Sequence, residues 1–282
     1  MKRLLQKIRK IISNYLIYKG ETGVLGSYED FKDAIFRLTK IDLNSYKERQ
    51  MKRRIDSLIT KHGITSYRSY VQLLETDKLF YNEFINYITI NVSEFYRNPE
   101  QWKVLEQDII PYLFNCFGKQ LKIWSAACST GEEPYSLVML LSKYMPLNNI
   151  KILATDIDQM VIEKAKIGMY HYKSLKDLPK EHIDKYFNRV NDKTLQISND
   201  IMSCVEFKHH DLLLDPYPTG FDLIVCRNVL IYFTDEAKTK IYNNFRESLK
   251  TGGVLFVGST EQMLQANQLG FRSFKSFFYM KQ

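Results

Sequence analysis

The sequence predicts an α/β chain: a mostly parallel sheet covered by helices and closed by antiparallel strands, carrying a small β-subdomain and preceded by a small all-α domain. Three observations predict it. Before about residue 90 apolar residues recur only at helical spacing; from Asn91 onward short β-like runs alternate with helical stretches; and the tail FRSFKSFFYMK has an aromatic, two-residue rhythm. With 282 residues and 45% apolar content, the chain can bury one large core and one small one.

Residues 1–26 form a basic amphipathic extension and linker. Leu4, Leu5, Ile8, Ile11, Ile12, Tyr15 and Leu16 share one helical face, and Lys2, Lys7, Arg9 and Lys10 lie mostly off it. That face either packs on the body of the protein or makes a peripheral contact with a membrane surface or partner. Gly20, Gly23 and Gly26 then make a flexible joint.

Residues 27–90 read as a helical domain of four short helices, with apolar sets Phe31, Ile35, Leu38; Met51, Ile55, Leu58, Ile59; Tyr70, Leu73, Leu74; and Phe84, Ile85, Ile88. The second helix ends at Gly63 and carries Lys47, Arg49, Lys52, Arg53 and Arg54. With Met51, Ile55 and Leu58 turned inward, Arg49, Lys52 and Arg53 share the outward face. A charged run is ordinarily a solvated surface. Yet residues 1–100 hold 18 Lys and Arg against 12 Asp and Glu, so +6 of the formal +8 sits in the front third. Such a surface suits nucleic acid, anionic lipid or an acidic protein, and charge does not choose among them.

Residues 91–282 carry the α/β pattern. Strands are expected at 122–127, 151–156, 205–212, 222–228 and 253–259, and helices at 132–143, 158–167 and 234–249. An insertion at 168–204 holds a helix, LPKEHIDKYF, and a short hairpin, RVNDKTLQI. Cys116, Cys128, Cys204 and Cys226 show neither a C-x-x-C pair nor zinc-ligand spacing, so reduced thiols and no metal are expected. No apolar run approaches ~20 residues and no leader pattern opens the chain, which predicts a cytoplasmic protein, neither secreted nor membrane-spanning.

In an open parallel sheet the ligand sits beyond the carboxyl ends of the strands. After the first strand comes SAACSTGEEPYS, small residues and then a helix start. Small residues allow close backbone approach, while Glu132 and Glu133 would repel a pyrophosphate, and G-x-G-x-x-G is missing. Asp156 ends the second strand and can accept both hydroxyls of a ribose, or else cap the next helix. His210, Asp211 and Leu212 end the third, and Arg227 and Asn228 end the fourth, ahead of Tyr232. An adenosine bearing a sulfonium amino acid, S-adenosylmethionine, fits this inventory better than a nucleotide does.

The segments NVSEFYRNPEQW, IWSAACSTGEEPYS, ATDID, HDLL and FDLIVCRNVLIYF, followed by GGVLFVGSTE, together resemble the bacterial chemotaxis receptor methyltransferases, the CheR family. The likeness runs in order from about Ser27 to the C-terminus. It implies a Rossmann-like S-adenosylmethionine-dependent methyltransferase domain, with a helical domain before it and a β-subdomain inserted. It also implies that Asn91, Ser93, Arg97, Glu133, Asp156, Asp211, Leu212, Arg227 and Asn228 surround the cofactor, with Arg97 and Tyr232 near the transferred methyl. Glu132 and Glu133 are hard to separate by reading. Ser93 stands where the family often has Thr, and Asp211 where Asn is as common. In the family a basic helix grips the glutamate-rich cytoplasmic methylation helices of membrane chemoreceptors, a role that Arg49, Lys52 and Arg53 match.

The activity implied is protein-glutamate O-methylation by a monomer, giving methyl esters and S-adenosylhomocysteine. A nucleic-acid methyltransferase acting on amino groups would carry an Asn/Asp-Pro-Pro-aromatic turn after the fourth strand, whereas this chain has Asn228-Val229-Leu230-Ile231-Tyr232. No nucleic-acid partner is therefore expected. Arg97 and Tyr232 argue against a chain that only senses or scaffolds. The hairpin RVNDKTLQI is short and lacks a Gly-rich turn, which points away from docking on a receptor tether.

Overall fold

The computed structural model describes residues 26–175 and 178–282; the amphipathic extension lies outside the described residues but for Gly26. Four helices come first: α1 (Tyr28–Thr39), α2 (Glu48–Lys61), α3 (Tyr67–Thr76) and α4 (Lys78–Ile88). Their starts follow from side-chain oxygens that accept otherwise unpaired amides. Ser27 and Asp30 form a reciprocal capping box, Ser66 caps α3 and Asp77 caps α4. Phe31, Ile35, Met51, Ile55, Leu58, Tyr70, Leu74, Phe84 and Ile88 close into a small core, as the helical spacing predicts.

The larger body is a seven-stranded sheet of β1 (Ile123–Ala126), β2 (Ile152–Asp156), β6 (Val205–His209), β7 (Phe221–Cys226), β8 (Leu249–Val257), β9 (Phe271–Lys275) and β10 (Phe278–Lys281). The order is β6-β2-β1-β7-β8-β10-β9, parallel from β6 through β8 and antiparallel at β10 and β9. Alternation along the central strands feeds two cores. Ile123, Leu223, Val225, Val254 and Phe256 face one side; Trp124, Ala126, Ile224, Cys226, Leu255 and Val257 face the other.

The covering helices include two that the reading does not assign, α5 (Pro99–Val104) and α6 (Ile110–Phe117), joined by a π-helical turn at Leu105–Ile109. Pro111, which has no N–H to donate, follows that turn directly. Next come α7 (Glu132–Leu141) and α8 (Gln159–Ile167). The insertion contributes α9 (Lys180–Tyr186) and α10 (Asn199–Met202), with a three-stranded sheet of β3 (Met169–His171), β4 (Phe187–Asn191) and β5 (Thr194–Ile197) in the order β3-β5-β4. The expected hairpin is β4–β5, and β3 is an added partner. Last is α11 (Asp235–Ser248).

Two polar seams join the helical domain to the sheet. Asp158 Oδ2 accepts from Asn91 Nδ2 at 2.8 Å and from Asn86 and Thr89 at 3.3 Å each. Farther on, the Lys47 amide donates to Tyr232 O (2.8 Å) and the Thr234 amide to Ser45 O (2.9 Å), with the Tyr46 ring 4.7 Å from Phe233. The basic helix α2 thus begins at a residue bonded to the loop after β7.

Candidate active site

The ends of β1, β2, β6 and β7, the 88–97 segment and Tyr46 enclose one cleft. Its empty volume is ≈ 970 Å³, solvent at the mouth included. Asn91, Ser93, Arg97, Glu133, Asp156, Asp211, Leu212, Arg227, Asn228 and Tyr232 all line it. Residues some 140 positions apart in the sequence therefore meet at one place.

Asp156 is 5% exposed, and its carboxylate accepts the Ser129 amide (2.8 Å) on Oδ2 and the Asp158 amide (2.9 Å) on Oδ1. Burial pushes its pKa up to about 6, against those two amides. The cap of α8 is Asp158, whose Oδ1 accepts the Met160 amide, so Asp156 is not spent on capping. Glu133 receives the Ser125 hydroxyl (2.8 Å) and faces Arg227 Nη1 at 3.8 Å; burial raises it to about 6, and Arg227 opposes the rise. Glu132 turns away to the Thr130 hydroxyl (2.6 Å) and does not line the cleft, so Glu133 is the one that reaches it. Asp211 closes a turn by accepting the Leu213 amide (2.7 Å), and burial raises its pKa as well.

The remaining expected residues divide by role. Arg227 sends Nη2 to Arg97 O (2.6 Å), Asn98 Oδ1 (3.1 Å) and Gln101 Oε1 (2.8 Å), so it holds the turn that presents Arg97. Arg97 itself donates to Val92 O (3.1 Å) and lines the cleft. Asn91 lines the cleft while its amide nitrogen is held by Asp158. Ser93 and Leu212 supply wall.

Backbone strain is concentrated here: Ile90 (φ 52°), Ala127 (65°), Ser129 (49°) and Asn228 (62°) all line the cleft, and Tyr96 (49°) and Asn98 (59°) flank Arg97. Left-handed non-glycine residues persist only where surroundings impose them, and a β-branched residue such as Ile90 is an outlier. Four buried polar atoms of cleft residues have no partner within the protein: Ser129 Oγ, His210 Nε2, Arg227 Nε and Asn228 Oδ1. A ligand rich in hydroxyls and ring nitrogens would satisfy them.

Substrate-side expectations fare differently. Arg49 and Arg53 are exposed on α2. Lys52 does not share their face fully: it pairs with Asp56 at 2.8 Å and lies over the Tyr28 (5.4 Å) and Tyr67 (5.6 Å) rings, and the Asp56 hydrogen bond holds its pKa above the ordinary lysine value. The two tyrosines from α1 and α3 draw a flexible ammonium along the helix surface, which spacing on α2 alone does not reveal. Arg54 is tied to Tyr87 O. Tyr46 and Ser129 belong to the cleft and were not expected there; Ser129 lies within the first strand-end motif, but nothing local to Tyr46 signals its position.

Profile comparison matches residues 91–278 to the "CheR methyltransferase, SAM binding domain" and residues 26–89 to the "CheR methyltransferase, all-alpha domain". The chain belongs to the CheR family. Among relatives, a chemotaxis protein methyltransferase of Listeria innocua is 43% identical over 90% of this chain and 97% of its own length. Those of Borreliella burgdorferi (34%; 82% and 88%) and Escherichia coli (32%; 83% and 83%) follow. As a CheR-family methyltransferase the chain uses S-adenosylmethionine. Among the described residues no helix is long and apolar enough to cross a membrane.

Proposed function

We propose that this chain is a cytoplasmic, monomeric protein-glutamate O-methyltransferase that converts glutamate γ-carboxylates on the cytoplasmic helices of chemoreceptors into methyl esters, releasing S-adenosylhomocysteine. What carries the reading is the convergence of the strand-end carboxylates with Arg97 and Tyr232 on one cleft. S-adenosylmethionine supplies an electrophilic methyl group on a sulfonium. Asp156 is suited to accept the ribose hydroxyls, Asp211 and Leu212 to receive the base, and Glu133 to face the cationic end of the ligand. A solvated glutamate has a pKa of ~4.3, so the nucleophile is ionised at neutral pH and no general base is needed. The chain's task is placement, which can be worth ~7–11 kcal/mol. The Arg97 fork is suited to orient the incoming carboxylate, and Tyr232 to wall the methyl path or hydrogen-bond the substrate.

Arg49 and Arg53, exposed on α2, suit acidic receptor helices; Lys52 joins them only by leaving Asp56. Incubation with methyl-labelled cofactor and receptor-rich membranes tests the reading: label should enter receptor as a base-labile methyl ester that releases methanol on alkaline hydrolysis. Label that resists base, or that enters nucleic acid, would overturn it.

A further inference from the structure

Beneath the loop after β7 lies a carboxylate outside the cleft-lining set. Glu261 is 5% exposed and takes four backbone amides: Asn228 (2.6 Å) and Gly258 (2.8 Å) on Oε2, Val229 (2.8 Å) and Leu230 (2.6 Å) on Oε1. The geometry has a local cause. The left-handed Asn228 (φ 62°) turns three successive N–H groups to one side, which makes an anion-binding concavity that the chain fills with its own side chain. Gly258 is part of the fit, because a Cβ there would lie 2.5 Å from Glu261 Oε2 and 2.7 Å from the Asn228 nitrogen. On its other side the loop is held through Tyr232 O by the Lys47 amide at 2.8 Å. Asn228 and Tyr232 reach the cleft from a segment gripped at its amides and at a carbonyl.

We propose that Glu261 is a positioning residue for methyl transfer: it fixes the Asn228–Tyr232 loop, and so sets where Asn228 and the Tyr232 hydroxyl stand against the reacting groups. This rests on Tyr232 belonging to the transfer site. A carboxylate is required because every partner is a donor. Glutamine would aim an NH2 group at amides that need an acceptor, and aspartate would be one methylene short of spanning β8 and the loop together.

The test compares Glu261→Gln with wild type in three readouts. Single-turnover methylation of receptor membranes at saturating cofactor should fall at least ~10-fold, and by more than calorimetric affinity for S-adenosylhomocysteine falls, because the residue acts on the transition state through Tyr232 as well as on the cofactor contact at Asn228. Amide exchange at Asn228, Val229 and Leu230 should quicken by at least ~10-fold. In a Tyr232→Phe background the same change should cost less than ~2-fold, since residues acting through one another are non-additive. A wild-type rate in the folded variant, or fully additive losses, would overturn the proposal. If Glu261→Gln does not fold, Glu261→Asp carries the same readouts with intermediate losses. If wild type transfers no methyl group to receptors, the substrate reading falls, and amide exchange in the S-adenosylhomocysteine complex alone decides whether Glu261 holds the loop.

Discussion

The cofactor wall and the basic helix are built on opposite principles. At the wall, Asp156 and Asp211 are buried and Glu133 nearly so, and each is fixed by amides or a hydroxyl. On α2, Arg49 and Arg53 stand in solvent, whereas Lys52 and Arg54 of the same run are held by their own domain. A buried, pre-oriented acceptor gives short-range selectivity and ignores salt; an exposed guanidinium acts at a distance and is screened over ~8–10 Å. On the proposed reading, one region suits a small molecule and the other suits capture of an acidic surface.

The largest loss should follow damage to the wall. Asp156→Ala should weaken S-adenosylmethionine binding by ~1–3 kcal/mol, since ribose hydroxyls lose a charged acceptor and the Ser129 and Asp158 amides lose theirs. Calorimetry at low and high salt should give the same loss. An unchanged affinity would remove Asp156 from the ribose site, and a strongly salt-dependent one would erase the contrast with α2.

Arg97 lines the cleft, held by Val92 O and by the turn that Arg227 supports. Arg97→Lys keeps the charge and loses the planar fork, so it and Arg97→Ala should each lower single-turnover kcat at least ~10-fold at saturating cofactor. A lysine variant with wild-type rate would make the position a charge alone, like those on α2. Charge reversal at Arg49 and Arg53 should then slow receptor methylation ~10-fold with cofactor affinity unchanged, and added salt should imitate it in wild type. Lys52→Ala is the internal control: an exposed ion pair contributes little, so methylation should stay within ~2-fold. Equal effects at all three positions would mean that Lys52 leaves Asp56 when the receptor binds.

Legibility in the sequence followed the same division. The sheet and its strand-end residues could be read because period-two alternation and the rule placing ligands beyond carboxyl ends depend on local sequence. Glu133 was separable from Glu132 only once the helix start fixed which side chain faces inward. The position of Lys52 depends on tyrosines from two other helices, Tyr46 enters the cleft across a domain boundary, and Glu261 answers amides some 30 positions earlier. Each is a contact between segments that no periodicity links. Pro111 and the π-turn before it explain why the α5–α6 stretch lacks one continuous helical rhythm.

Acid separates the two regions most sharply. Asp156 and Glu133 both have pKa values raised to about 6 by burial. If the ligand binds the ionised carboxylates, a drop from pH 7.5 to 5.5 protonates most of each and should raise the Kd for S-adenosylmethionine about fourfold per carboxylate. Capture of receptor by α2 should hardly change, because substrate glutamates of pKa ~4.3 remain mostly ionised. Unfolding cannot account for the loss. A carboxyl whose folded pKa is raised takes up its proton more readily when folded, so these two groups stabilise the ligand-free protein as pH falls from about 6 towards 4 and contribute nothing further below that window. Calorimetric titration at pH 5.5, 6.5 and 7.5, paired with receptor-membrane sedimentation at the same values, should show cofactor affinity falling while membrane capture holds. A flat cofactor affinity would mean that the bound ligand pulls both carboxylates back towards ordinary values, as a cation against Glu133 and hydroxyls on Asp156 would do if contact were close, and Asp156→Asn would then weaken binding equally at all three pH values.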